Sequence, residues 1–117
     1  MADGRSAYTS LSDYTVGRRI EMRSSYLVCY DIRNPKRLRR VFKLMKGYGE
    51  HWQFSIFFCI LKDIDRVRLQ SNLEEEINLR EDQVIIINMG ANERAARGAA
   101  TVIGQSLDMQ DEKIIVI

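Results

Sequence analysis

The first clear pattern along the chain is an apolar run at residues 26–32 (YLVCYDI). Both faces of this strand are apolar until its last residues, which is typical of a central strand covered on two sides. Residues 1–24 show no sustained helical or strand period and are rich in Ser, Gly, Asp and Arg. We therefore expect residues 1–24 to be an N-terminal extension, or a short arm that packs on a partner, and residues 25–117 to be one domain.

A helix is predicted directly after this strand. Asn34 and Pro35 form a helix start, because an N-cap side chain is followed by proline at the first helical position. One apolar face with i, i+3, i+4, i+7 spacing follows, formed by Leu38, Val41, Phe42 and Met45. Gly47 and Gly49 are expected to end the helix.

Residues 51–61 (HWQFSIFFCIL) alternate in the manner of one strand. One face is wholly apolar and is expected to cover the helices; it consists of Trp52, Phe54, Ile56, Phe58 and Ile60. The other face begins polar and turns apolar at Phe57, Cys59 and Leu61. Since a sheet covered by helices on one side leaves its other side solvated, this second apolar set predicts burial against another sheet or subunit.

The rest of the chain predicts a second helix and more strands. Asp63 is the candidate N-cap of a helix to about Leu79, with inward residues Val67, Leu69, Leu73 and Ile77. Residues 83–89 (QVIIINM) form a third strand, and residues 91–100 are expected to be a loop with room for one helical turn. Two short strand candidates follow at residues 101–104 and 113–117 (KIIVI).

This order of elements predicts an α+β fold. The alternation βαββαβ, or a βαβαβ variant, matches a ferredoxin-like sandwich with a four-stranded antiparallel sheet and two helices. An extra C-terminal strand at residues 113–117 is surplus to one sheet, and an exposed apolar strand invites aggregation unless it is paired. We therefore expect a homodimer in which this strand pairs with the other protomer.

Composition narrows the class of protein further. A chain of 117 residues with 45% hydrophobic and 29% charged residues is typical of one globular domain. Cys29 and Cys59 lie in apolar runs without zinc-site spacing, so both are expected to be buried thiols. No apolar stretch approaches the about 20 residues of a membrane span, and no signal-peptide core is present, so we expect a cytoplasmic protein without membrane contact.

Charge is distributed unevenly, although the net charge is only +2. No acidic residue occurs between Asp31 and Glu50, whereas the basic residues of this segment are Arg33, Lys36, Arg37, Arg39, Arg40, Lys43 and Lys46. A solvated helix face is one interpretation, but such a face normally intersperses acidic partners. The alternative is contact with nucleic-acid phosphates, which would be salt-sensitive and directed to the backbone, since no base-reading motif is present.

Asp31 is the strongest candidate for chemistry. A carboxylate near the end of an apolar central strand must be paired, hydrogen-bonded or metal-bound if it is buried. It can pair with Arg33, cap the following helix or lie exposed at the rim of the sheet. The functional alternative is a hard-cation ligand, because Mg²⁺ prefers oxygen ligands and a symmetric dimer brings two carboxylates together.

Other polar and aromatic residues carry weaker hypotheses. His51 is the only histidine, which excludes a two-histidine metal site unless subunits share it, and it is expected to be a strand-edge residue and not a catalyst. Ser55 is placed in mid-strand, where a hydroxyl commonly bonds to the backbone. Tyr30, Trp52 and Phe54 can stack nucleic-acid bases, but aromatic residues at strand spacing more often belong to the core.

Three short motifs together resemble the CRISPR-associated Cas2 family, the small partner of the CRISPR integrase. They are an apolar strand that ends in Tyr30-Asp31-Ile32, a basic helix that closes with Tyr48-Gly49, and the segment Gln53-Phe54-Ser55-Ile56-Phe57. The resemblance covers about residues 26–89. Phe58 departs from it, because the family often has an acid there, and the fit is loose after Met89.

The resemblance implies a ferredoxin-like homodimer whose first-strand aspartates, here Asp31, face each other and can bind Mg²⁺. It also implies a metal-dependent endonuclease activity at Asp31, and a role in holding DNA beside the integrase during spacer acquisition. On this basis the predicted nucleic-acid contacts, to DNA or RNA backbone, are Arg33, Lys36, Arg37, Arg40, Lys43 and Ser55. Two further hypotheses remain: a stand-alone metal-dependent endoribonuclease of the toxin type, and a metabolite-binding regulatory dimer.

Overall fold

Between residues 24 and 98 the chain forms one four-stranded sheet, two long helices and one short helix. The computed structural model describes residues 22–107. Its elements are β1 (Ser24–Asp31), α1 (Pro35–Lys46), β2 (Glu50–Gln53), β3 (Ile56–Leu61), α2 (Asp63–Glu76), β4 (Gln83–Asn88) and α3 (Glu93–Gly98). The strand order is β2-β3-β1-β4, and each neighbouring pair is antiparallel. This βαββαβ arrangement confirms the predicted α+β, ferredoxin-like class.

The core lies between the sheet and the helices α1 and α2. Strand β1 is central, as predicted, because it pairs with β3 on one side and β4 on the other. The residues buried between the layers include Tyr26, Val28 and Tyr30 of β1, Phe57, Cys59 and Leu61 of β3, Val41 and Met45 of α1, and Leu69 and Leu73 of α2. We call this side of the sheet the helix face and the opposite side the open face.

The prediction of a single strand over residues 51–61 is wrong, because the segment forms a hairpin of two strands. Strand β2 ends at Gln53, Phe54 and Ser55 form a two-residue turn, and β3 begins at Ile56. The register shifts between His51 and Gln53, which is a β-bulge. The turn lacks the glycine or asparagine that usually marks such a connection, so the alternating pattern passes through it unbroken.

The two faces of this segment were also assigned the wrong way round. Phe57, Cys59 and Leu61 face the helices, whereas Trp52 and Phe58 belong to a second cluster on the open face. Phe54 contributes to neither cluster and is 63% exposed. The apolar half-face that predicted burial against a second subunit is therefore the helix-covered core.

The start and the end of α1 follow the predicted signals. The side chain of Asn34 accepts hydrogen bonds from the backbone N–H groups of Lys36 and Arg37, and Pro35 occupies the first turn. Gly47 caps the C-terminal end. Gly49 has a different role, because a Cβ at this position would lie 2.6 Å from the carbonyl oxygen of Phe58. The connection between α1 and β2 thus needs glycine in order to approach β3.

Helix α2 differs from its prediction at both ends. Lys62 is the N-cap and makes no side-chain capping bond, so Asp63 is the first helical residue and not the cap. The helix ends at Glu76 rather than near Leu79. Leu69 and Leu73 are buried as predicted, whereas Val67 is 49% exposed.

The segment after β4 also departs from prediction. Residues 93–98 form α3, a helix of six residues where a loop with room for one helical turn was expected. Its Asn92 cap accepts a hydrogen bond from the N–H of Ala95. Residues 101–104 form no strand. The predicted strand at 113–117 and the predicted extension up to residue 21 lie outside the described residues.

Two further predictions concern the thiols and the membrane. Cys59 is buried, and its burial raises the pKa of the thiol to about 12, whereas Cys29 is half-buried on the open face. The prediction of two buried thiols therefore holds for Cys59 alone. In the described part of the chain, no helix has the length and apolar character needed to cross a membrane.

Candidate functional site

Asp31 is the last residue of β1 and lies on the open face of the sheet. It is opposite Gln83 of β4, and its side chain is exposed. The preceding residue, Tyr30, points into the core between the sheet and the helices, so the alternation of the strand directs Asp31 to the other side. Within residues 22–107 its carboxylate forms no ion pair, neither with Arg33 nor with any other cation. Asp31 is thus an available oxygen ligand at the rim of the sheet.

The β2–β3 turn brings Ser55 to the same end of the sheet as Asp31. The backbone N–H of Tyr30 donates to the carbonyl oxygen of Ser55 over 3.0 Å. The predicted mid-strand position of Ser55 is therefore wrong, although the residue does lie beside the strand that ends in Asp31. Ser55 is half-buried, and its backbone carbonyl makes the bond to Tyr30.

Asp82 holds the loop that follows Asp31. Its carboxylate accepts hydrogen bonds from the N–H of Arg33 at 2.9 Å and from the N–H of Asn78 at 2.8 Å. The guanidinium of Arg37 donates to both of its oxygens, at 2.8 Å and 3.1 Å, and also to Glu81 at 3.0 Å. The Arg37 hydrogen bond is the main reason that the pKa of Asp82 is held well below the ordinary carboxyl range. The same contact raises the pKa of Arg37.

The basic residues of α1 fall into two groups. Arg37 is paired with Glu81 and Asp82, and Arg40 donates to Glu76 of α2 at 2.9 Å. Lys36, Arg39 and Lys43 are exposed and form no ion pair within residues 22–107. The acidic partners that the helix lacks in its own sequence are thus supplied to Arg37 and Arg40 by α2 and by the loop before β4.

The sheet separates these cations from Asp31. Helix α1 packs on the helix face through Val41 and Met45, so its polar side points away from the sheet. Asp31 belongs to the opposite, open face. The structure therefore brings Asp31, Arg33 and Ser55 to one end of the sheet and leaves Lys43 and Arg40 in another layer of the molecule.

The open face is covered only in part. Helix α3 lies against β1, β2 and β3. Its Ala96 is buried beside Trp52 and Phe58, whose rings stack with centroids 4.9 Å apart. Arg97 of α3 donates to Glu50 at 2.9 Å, and its guanidinium carbon lies 4.6 Å from the centre of the Phe58 ring. Ile85 and Ile87 of β4 remain 47% and 44% exposed. An apolar strip next to Asp31 is therefore left uncovered by the described residues.

A metal site is not complete within the described part of one chain. No group of three or more His, Cys, Asp or Glu side chains with metal-binding geometry occurs among residues 22–107. Asp31 nevertheless has the chemistry of a hard-cation ligand, because it is an exposed carboxylate without an ion-pair partner among these residues. One such oxygen ligand per chain fits a Mg²⁺ ion only if a second copy supplies another and water fills the remaining positions.

Two features of this region were missed by the sequence interpretation. The sequence pattern assigned no role to Asp82, yet its carboxylate fixes the loop after Asp31. The sequence pattern also gave no sign that Arg97, in the predicted loop with room for one helical turn, joins Glu50, Glu93 and Phe58 into one cluster. Helical spacing of Glu93 and Arg97 at i, i+4 was the signal that could have revealed α3.

The fold and the site together define a class of protein. A ferredoxin-like domain with an exposed carboxylate at the end of β1 and a basic first helix matches the motifs described above. The sequence model of the family described as CRISPR associated protein Cas2 matches residues 24–97. The chain belongs to this family.

Individual relatives cover most of the described region. A CRISPR-associated endoribonuclease Cas2 of Rhodospirillum rubrum is 36% identical over 100 residues, which is 86% of this chain and 97% of that protein. A protein of the same name from Geobacter sulfurreducens is 38% identical over 87 residues, which is 74% of this chain and 90% of that protein.

A solved structure supports the same relationship. The crystal structure of Streptococcus pyogenes Cas2 at pH 6.5 superimposes with a TM-score of 0.61 and 29% sequence identity, and covers 68% of this chain and 99% of that one. The shared fold therefore accompanies a shared sequence family.

Proposed function

We propose that this chain is a CRISPR adaptation subunit that binds nucleic-acid backbone as a homodimer beside the integrase, in the cytoplasm. The observation that carries the proposal is the group of cations on α1 that have no ion-pair partner among the described residues. Lys36, Arg39 and Lys43 share the exposed side of a rigid helix, which is an arrangement suited to successive phosphates. Membership of the Cas2 family supports the same role.

The structure modifies which residues we assign to phosphate binding. Arg37 and Arg40 are engaged with acidic residues of the same chain, so phosphate would have to displace these partners. Arg39, which the sequence interpretation did not include among the contacts, takes the place of Arg37. The proposed contacts along α1 are therefore Lys36, Arg39 and Lys43, with Arg33 and Ser55 at the end of the sheet.

The proposed homodimer joins the uncovered parts of the two open faces. Ile85 and Ile87 lie on the same face of the sheet as Asp31, opposite Cys29 and Leu27 of β1, and remain exposed. A second copy that covers them would bring the two Asp31 side chains near one another. Two carboxylates and several waters suit Mg²⁺, which supplies charge neutralisation at a phosphate and lowers the pKa of a bound water. An endonuclease activity at this position is the second part of the proposal.

Affinity capture tests the proposed role directly. A tagged full-length chain expressed in its native cell is expected to capture an integrase-type protein together with nucleic acid. The charge-reduced variant in which Lys36, Arg39 and Lys43 are changed to Gln keeps the fold and is the matched control, since it should capture less nucleic acid. Recovery of the tagged chain alone, with neither integrase nor nucleic acid, would contradict the proposal.

The second candidate function is a stand-alone metal-dependent endoribonuclease. The relatives from Rhodospirillum rubrum and Geobacter sulfurreducens are named endoribonucleases, and this favours cleavage of RNA as a candidate activity here. If this chain has that function, the purified protein is expected to cleave RNA without an integrase, and the Asp31→Asn variant is expected to lose this activity. The metabolite-binding alternative has less support, because the groove between α2 and β4 is lined mainly by apolar side chains and has no cation to hold an anionic ligand.

A further inference from the structure

Phe54 is an exposed aromatic side chain in the turn between β2 and β3, at the end of the sheet where β1 ends. The three aromatic residues that the sequence suggested for base stacking differ in the structure: Tyr30 and Trp52 are 6% and 9% exposed, whereas Phe54 is 63% exposed. Tyr30 lies in the main core and Trp52 stacks on Phe58. Phe54 alone among these three therefore offers a ring surface to a ligand.

The backbone of Phe54 is held in place from two sides. The hydroxyl of Tyr30 donates to the carbonyl oxygen of Phe54 at 3.3 Å, and Nε2 of His51 lies 3.4 Å from the same oxygen. The next residue, Ser55, accepts the backbone hydrogen bond of Tyr30. The packing of residues 22–107 does not explain an exposed large apolar side chain on an anchored two-residue turn.

The surroundings of Phe54 carry the groups that a nucleotide requires. The turn that carries Phe54 lies beside the C-terminal end of β1, where the strand ends in Asp31. Arg33 follows Asp31 by two residues. Arg33 is exposed and its side chain forms no ion pair within residues 22–107. A ring, a cation and a carboxylate with the chemistry of a metal ligand thus lie at the same end of the sheet.

We infer that Phe54 is a stacking platform for an unpaired nucleobase of the nucleic acid that binds at this end of the sheet. The inference rests on the proposed function and deepens it, because it names a single-stranded segment as the ligand beside Asp31. Stacking on an aromatic ring is available to any base, so it selects for an unpaired base and not for a sequence. Duplex backbone binds instead to the cations of α1 in the other layer.

The experiment compares binding of a single-stranded oligonucleotide and a blunt duplex by the full-length chain. Fluorescence anisotropy gives the affinities, and 2-aminopurine in the single strand reports stacking by quenching. Phe54→Ala is expected to weaken single-strand binding by about ten-fold and to remove the quenching. Its duplex affinity and its dependence on salt should match those of wild type, because stacking releases no counterions. The unpaired base can belong to RNA or to DNA, and the measurement is therefore made with a single strand of each kind.

Two further variants serve as controls. Phe54→Trp keeps a ring and is expected to retain binding and quenching. Ile64→Ala removes an apolar side chain that is also exposed, 54% by area, at the start of α2, and should leave both affinities unchanged. Thermal unfolding of each variant confirms that the fold is intact, which is expected because Phe54 belongs to neither core cluster.

The outcomes separate this inference from the proposed function. Wild type that binds neither the single strand nor the duplex contradicts the proposed function and the inference with it. Wild type that binds both, together with Phe54→Ala that binds the single strand equally well, overturns the inference alone. A third outcome is that Phe54→Ala changes the oligomeric state, while each remaining dimer binds the single strand with unchanged affinity. This result would assign Phe54 to contact with a second copy, and it also overturns the inference.

Discussion

Asp82 shows how one residue can decide the geometry of a neighbouring site. Its side chain is fully buried and its carboxylate accepts from Arg33, Arg37 and Asn78. These contacts tie together the loop after β1, the first turn of α1 and the loop before β4. The position of Arg33, and with it the end of the strand that carries Asp31, therefore depends on an ionised Asp82.

A pH dependence of stability follows from this carboxylate. The pKa of Asp82 is lowered in the folded chain relative to its ordinary value of 3.8, so ionised Asp82 stabilises the fold above that value. The stabilisation is lost as the pH falls below 3.8 toward the folded pKa. The free energy of unfolding of wild type should exceed that of Asp82→Asn by a constant amount above about pH 5, and the difference should shrink in acid. A difference that stays constant down to about pH 2 would exclude this role.

The second prediction at this scale concerns the metal. Asp31→Asn is expected to reduce any Mg²⁺-dependent cleavage by at least about 100-fold, because a neutral amide is a weaker ligand for a hard cation. The fold and the proposed dimer should persist, since Asp31 is exposed and makes no ion pair among residues 22–107. Cleavage of labelled RNA and DNA with and without Mg²⁺ measures the effect, and Gln53→Ala serves as an exposed control at the end of β2. If the Asp31→Asn variant retained Mg²⁺-dependent cleavage, the assignment of Asp31 as the metal ligand for this activity would be wrong.

At the scale of elements, the connection from α1 to β2 depends on the absence of a side chain at Gly49. A Cβ there would lie 2.6 Å from the Phe58 carbonyl oxygen and 3.1 Å from Cα of Cys59, both of which are backbone atoms of β3. Backbone in the middle of a sheet cannot move aside without loss of strand pairing.

The third prediction compares two glycines. Gly49→Ala should lower the free energy of unfolding by about 1–3 kcal/mol, because it forces β3 and the loop apart. Gly98→Ala is the matched control: a Cβ added there would have no atom within 4 Å, so the change should be neutral or slightly stabilising. Urea unfolding of both variants tests this, and equal effects would show that the close approach at Gly49 costs little.

Helix α1 illustrates how tertiary structure divides a charge pattern. Its cations form one uninterrupted set in the sequence, but Arg37 and Arg40 pair with acidic residues that are distant along the chain. Lys36, Arg39 and Lys43 keep the arrangement that favours phosphate.

The fourth prediction follows from this division. Changing Lys36, Arg39 and Lys43 together to Gln should reduce the slope of log affinity against log salt for duplex by up to about 3, since each lost phosphate contact contributes about 0.9. Changing Arg37 and Arg40 to Gln should alter the slope less and lower stability more. Duplex binding measured at several salt concentrations distinguishes the two sets. Equal slopes for both variants would show that the helix surface is merely solvated.

At the scale of the whole molecule, the sequence predicted the class of fold because strong local signals marked β1, α1 and β4. Asn34 and Pro35 began a helix where expected, and the continuous apolar run of β1 indicated its central position. The hairpin was missed because Phe54 and Ser55 are not usual turn residues and the bulge at Trp52 disturbs the register. No local rule reports such a bulge.

The candidate site was predicted only in part, for a similar reason. Asp31 was identified as a carboxylate near the end of an apolar central strand, and its exposed position at the rim agrees with one of the alternatives left open. The pairing of Arg37 with Asp82 joins residues 45 positions apart, which no local pattern in one sequence reveals. The exposure of Phe54 likewise follows from the turn and not from strand periodicity.

The central claim is that the α1 cations serve nucleic-acid binding beside an integrase, independently of the carboxylate on the other side of the sheet. Reconstituted spacer insertion, with the integrase and DNA held constant, tests it most directly. We expect Asp31→Asn to support insertion as well as wild type does, and the variant with Lys36, Arg39 and Lys43 changed to Gln to support it at least about ten-fold less well. Loss of insertion in a folded, dimeric Asp31→Asn protein, or full insertion by the charge-reduced variant, would contradict the account.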